Sequence, residues 1–204
     1  TDGPQKLDFI DASDPTNVMK LCLRLNASVT NNIDFTIYNG IDMTTVAWGK
    51  YDLPGWTKGQ SHCIQVSLDT SDTSKRHAFI DGVDVTSTSS TNWANYNNLN
   101  IPWSRATKAI IGEDFNYGDK LGGSLGEYWV DNSYIDLSTD NPFWDSVANK
   151  PKPVSQVISE TGTTPIIAMP LRADDAGNNL GSGGDFTVNS GPYTGARGGS
   201  EFWA

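Results

Sequence analysis

The dominant period along this chain is two. Leu21, Leu23 and Leu25 alternate with Lys20, Cys22 and Arg24, and Ile33, Phe35 and Ile37 alternate with Asp34, Thr36 and Tyr38. Successive side chains of a strand leave on opposite sides, so each run buries one face and predicts an antiparallel strand. Ile64, Val66 and Leu68 repeat the pattern against Cys63, Gln65 and Ser67. From His77 to Val85 two short apolar pieces flank Asp81-Gly82, a dipeptide suited to the left-handed backbone of a two-residue hairpin. Further strands are expected over residues 108–112, 125–135, 165–171 and 185–188, with Gly, Asn, Asp, Ser and Thr turns between them.

A single segment predicts a helix. Asp140 suits a cap, Pro142 the first turn, Phe143, Trp144 and Val147 share a helical face, and Lys150-Pro151 ends the run, giving a short helix near 141–149. No alternation of strands with helices runs through the rest. Burying one face of each strand then calls for an all-β, two-sheet antiparallel β-sandwich of the jelly-roll type. Residues 87–100, poor in aliphatic side chains but holding Trp93 and Tyr96, read as a long surface loop, and residues 174–184 as a second, glycine-rich one. The expected organisation is one domain over 1–190 and a glycine-rich tail over 191–204 ending in Phe202 and Trp203.

Composition narrows the function. With 14 basic and 24 acidic residues the 204-residue chain carries a formal charge of −10, and no Lys/Arg stripe is visible along it, so binding to nucleic acid through a basic patch is disfavoured. No run of about 18 apolar residues supports membrane insertion. Cys22 and Cys63 are the only cysteines and read as free thiols rather than a disulfide scaffold. The first residue is Thr1 rather than Met, which reads as a processed or trimmed start. Asn26-Ala27-Ser28 fits the glycosylation sequon, and reads as a chance match in so Asn-rich a chain.

Catalytic arrangements are not found. Retaining glycosidases hold two carboxyl groups about 5–5.5 Å apart, yet no two acidic residues stand two positions apart, and Glu127 and Asp131 would lie about 13 Å apart along a strand. His62 and His77 are the only histidines and neither lies in a nucleophile motif; His62 beside Cys63 is separated from it by strand alternation. No phosphate-cradling glycine loop is present. The expectation is a protein that is not an enzyme.

Two binding chemistries remain as expectations. Glu113, Asp114, Asn116 and Asp119 crowd one stretch and offer hard oxygen ligands for calcium, without the spacing of an EF-hand; acidic turn chemistry is the plainer reading, and no other cofactor is expected. Trp48, Trp56, Trp93 and Tyr96, with Asn95 and Asn97 beside the last two, combine flat apolar faces with polar edges. That combination serves glycan binding, a protein interface or loop packing.

The order of several short motifs resembles the concanavalin A-like jelly roll of laminin-G/pentraxin type. Gln60 to Thr70 (QSHCIQVSLDT), Arg76 to Val83 (RHAFIDGV), Lys108 to Gly112 (KAIIG) and Gly123 to Asp131 (GSLGEYWVD) follow the family's succession of strands. Tyr134 to Leu137, Lys152-Pro153-Val154, Thr164 to Ile167 and Gly177 to Phe186 (GNNLGSGGDF) are similar to the extension such domains carry in tailed-phage and prophage structural proteins. The resemblance implies a non-enzymatic virion protein, such as a capsid decoration, head spike or tail appendage. It would sit at the virion surface, contact capsid or tail proteins or a second copy of itself, and bind a host-surface glycan. Three features depart from the family. The Trp usual before the His62 strand is replaced by Gly59-Gln60-Ser61, Gly126 stands where a larger residue is commoner, and the Glu-x-Asp-x-x-Glu of the glucanase relatives is absent. A secreted carbohydrate-binding module or lectin is the alternative, and a glycan hydrolase or lyase stands behind it.

Overall fold

The computed structural model describes residues 5–10, 19–26, 32–39, 44–52, 61–87, 92–96, 108–111, 125–171 and 175–187. By its contacts the chain forms two compact units, one of residues 1–60, 69–76 and 85–123, the other of 61–68, 77–84 and 124–204.

In the first unit, β1 (Gln5–Ile10), β2 (Met19–Asn26), β3 (Asn32–Asn39) and β4 (Thr44–Asp52) follow one another as antiparallel neighbours. The expected alternating runs are the centres of β2 and β3. Two later strands of this unit, β8 (Asn92–Tyr96) and β9 (Lys108–Ile111), join at the outside. The six-stranded sheet has the order β8-β4-β3-β2-β1-β9. β8 corrects the expected loop over 87–100: pairing with β4 supplies the backbone hydrogen bonds that its polar sequence gave little hint of.

Between β4 and β8 in sequence, β5 (Ile64–Asp69), β6 (Asp72–Ile80) and β7 (Val83–Asp84) form a three-stranded sheet, and the chain passes from one unit to the other within β5 and again within β6. The expected hairpin is present: Ile80 pairs with Val83, and Asp81 and Gly82 have φ of 51° and 76°, the left-handed pair that a type I′ turn requires. A Cβ on Gly82 would fall on the Trp144 indole, so the turn needs glycine for space as well as for conformation.

The second unit continues with β10 (Tyr128–Val130), β11 (Trp144–Asp145), β12 (Lys150–Pro151), α1 (Val154–Thr161) and β13 (Ile167–Met169). β10 pairs with β13 and β11 with β12, both antiparallel. Among the described residues, Ala78, Phe79, Ile80, Leu137, Val154, Val157, Pro165 and Ile167 to Pro170 are buried apolar residues of this unit. Trp129 meets Phe143 edge to face, 5.1 Å between ring centres.

The helix lies later in the chain than expected. Across 141–149, Asn141 Oδ1 accepts the Phe143 N–H at 3.1 Å and Asp145 Oδ1 accepts the Val147 and Ala148 N–H groups at 2.9 Å. These side chains compete with helix formation; Asn149 turns left-handed at φ 53°, and Val147 is 96% exposed. Helix α1 starts instead after Pro153, whose φ of −56° suits a helix entry, buries Val154 and Val157, and ends at left-handed Gly162. Three other expectations shrink: of 125–135 only β10 is strand, of 165–171 only β13, and residues 185–187 are not strand.

Candidate functional site

The register of the six-stranded sheet sorts its residues into two faces, because residues directly opposite in an antiparallel pair share a face. One face takes Leu7, Leu21, Leu23, Phe35 and Ile37, and carries no charged residue in any of the six strands. The other takes every charge those strands hold: Lys6, Lys20, Arg24, Lys50 and Lys108 with Asp8, Asp34 and Asp52.

The expected aromatic group divides between these faces. Trp48 stands opposite Thr36 on one side and Ala94 on the other, on the charged face, with Cys22 next in the same rung. The adjoining rung runs Arg24, Asp34, Lys50, Asn92. Trp93 stands opposite Gly49 and Tyr96 opposite Ala47, both on the apolar face. Uninterrupted alternation would separate Trp93 from Tyr96, three residues apart. A bulge keeps them together: the partner of β4 jumps from Ala94 to Tyr96 between Trp48 and Ala47, leaving Asn95 without an opposite residue. Trp56, Asn97 and the four residues considered for calcium, Glu113, Asp114, Asn116 and Asp119, lie outside the described residues. Among the described residues no group of three or more His, Cys, Asp or Glu is placed to hold a metal ion.

In the second unit the polar clusters hold turns. His62 Nδ1 lies 2.7 Å from Asp81 Oδ2, and Asp81 Oδ1 accepts the Cys63 N–H at 2.8 Å, while the Asp81 N–H donates to the Cys63 carbonyl at 2.9 Å. Asp81 thereby ties its turn to the residues entering β5. Burial, and then the Asp81 carboxylate, push the Cys63 thiol up to about 12, against a smaller opposing effect of the Gln65 amide. A thiol so far above neutrality is a poor nucleophile, so His62 and Cys63 do not form an activated pair. His77 Nε2 lies 3.4 Å from Asp136 Oδ1, whose carboxyl is held below its ordinary range chiefly by hydrogen bonds from the Ser138 hydroxyl and N–H. Glu127 Oε2 accepts the Val154 N–H at 3.0 Å and so satisfies a donor at the start of α1 that Pro153 cannot cap.

The glycine-rich stretch is a docking loop for β13. Asn179 Oδ1 accepts the Ala168 N–H at 2.8 Å and the Gly181 N–H at 3.0 Å, and its Nδ2 donates to the Ile166 and Gly184 carbonyls at 3.1 and 3.0 Å. The Ser182 and Gly183 N–H groups donate to the Pro165 and Ile166 carbonyls. A Cβ at Gly181 would approach those same carbonyls to 2.6 and 2.7 Å, and one at Gly183 would come to 2.8 Å from that of Ile166. The glycines permit this close backbone approach.

No family model, curated protein or solved structure matches this chain.

Proposed function

We propose that the chain is a non-enzymatic binding domain of the concanavalin A-like jelly-roll kind, displayed on a phage-like particle, with a host-surface glycan as its ligand. The observation that carries the binding reading is the two-faced six-stranded sheet with Trp48 on its charged side. A face without charges is stable when a second layer covers it, the packing of a sandwich, whereas burying eight charges would be prohibitive. The charged face is therefore the side available to a ligand, and Trp48 supplies the flat apolar platform that sugar rings use, with Asn92 on the neighbouring rung as a hydrogen-bonding group. Trp93 and Tyr96 belong with the core side of this sheet. The particle assignment is supported by the order of the sequence motifs.

Immuno-gold labelling of particles from the source culture tests the reading. Label on heads or tails is the expected result. Label confined to protein free in the medium would overturn the particle assignment and favour a secreted lectin, and release of products from a bound polysaccharide would overturn the non-enzymatic one.

A further inference from the structure

We propose that the ligand is an anionic polysaccharide, held through its carboxylate groups on the charged face of the six-stranded sheet around Trp48. This rests on the glycan reading above and adds the chemical class of the sugar. The chain as a whole is strongly acidic, at −10. The charged face departs from that: its five basic residues, Lys6, Lys20, Arg24, Lys50 and Lys108, outnumber Asp8, Asp34 and Asp52. The excess is invisible along the sequence, because the basic residues come from four different strands and meet only through the register.

Their arrangement is ordered. Asp34 stands between Arg24 and Lys50 in one rung, and Asp8 opposite Lys20 in another, opposite-charge pairs of the sort that steady a sheet. Each acid on these two rungs thus has a basic neighbour, and the rung between them holds Trp48, Thr36, Cys22 and Lys6 with no acid at all. Trp48 therefore sits in a lane with Lys6 at one end and Lys50 on the next rung, Tyr38 being diagonal to it on the β3 side. A linear sugar chain bearing a carboxylate on successive residues matches such a lane: ring stacking at Trp48 and charge-assisted hydrogen bonds at the lysines. A neutral glycan would leave the basic excess unused, and the acidic remainder of the chain would repel an anion that missed this face.

Binding of the full chain to polygalacturonate, alginate, hyaluronate and polysialic acid, each beside its carboxyl-reduced neutral form, tests the proposal. Circular dichroism monitors the fold of every variant. The expected result is binding to at least one anionic polymer, lost on carboxyl reduction, weakening as salt rises, and weakened about tenfold by Lys50→Glu. Should Lys50→Glu disturb the fold, Lys6→Glu is read in its place. Equal binding to a polymer and its carboxyl-reduced form overturns the anionic assignment while leaving a glycan-binding protein. Binding to an anionic polymer that neither lysine substitution nor Trp48→Ala weakens overturns the face. No binding to any polymer, charged or neutral, overturns this proposal and the glycan reading together.

Discussion

Single positions carry much of the local order, and two glycines show how space and conformation combine. Gly82 and Gly162 both have left-handed backbones, at φ 76° and 68°, but a Cβ meets the Trp144 indole at the first and nothing within 4 Å at the second. Gly162→Ala is expected to cost about 1 kcal/mol, the backbone penalty alone, and Gly82→Ala about 3 kcal/mol or more, because the tryptophan must also move. Urea denaturation of the two variants checks the difference. Cys63 gives a second residue-level test. With its thiol at about 12, iodoacetamide at pH 8 should leave Cys63 unmodified in the folded chain and label it once urea is added, read by peptide mass spectrometry. The raised value also fixes a sign: the thiol favours the fold below its unfolded value near 8.5, and that contribution falls away as pH rises toward 12.

At the scale of elements, local patterning was legible where it did not depend on a partner. The Leu21 to Leu25 and Ile33 to Ile37 runs and the Asp81-Gly82 turn are read directly from alternation and turn chemistry. Strand β8 was not, since Asn92 to Tyr96 becomes strand through its pairing with β4. The bulge at Asn95 likewise has no local signature, and it decides which aromatics share a face. The helix lies outside the expected segment although its own signals are present in the sequence: Pro153 before it, Val154 and Val157 at helical spacing, Gly162 after it. Phe143, Trp144 and Val147 imitated that spacing, while the turn-forming carboxylate of Asp145 was the stronger local determinant. The Gly177 to Phe186 stretch was visible as unusual, but its role depends on Asn179 reaching β13. Asn179→Ala removes four side-chain hydrogen bonds and is expected to cost about 3 kcal/mol. Amide exchange should accelerate at Ala168 and Gly181, whose N–H groups Asn179 Oδ1 accepts, and leave α1 unchanged.

For the whole molecule, acid is the predicted weakness. Asp69, Asp72 and Asp136 are each lowered from an ordinary 3.8, foremost by the hydroxyl of a serine two residues on, and Glu160 is lowered from 4.5, foremost by Lys152. A carboxyl lowered in the folded state favours the fold above its unfolded value and loses that contribution as pH falls through its folded value. The urea midpoint should therefore lose nothing from these four groups between pH 7 and pH 5, then decline below about pH 4.5. The six-stranded sheet likewise has two faces, one without charge and one with a basic excess, and the proposed ligand belongs to the second. The most direct test compares Trp48→Ala and the unsubstituted chain on an array of bacterial surface polysaccharides, with thermal unfolding measured in parallel. Loss of glycan binding in Trp48→Ala with the unfolding midpoint unchanged is the predicted result. Undiminished binding by that variant, or no binding by either chain, would contradict the account.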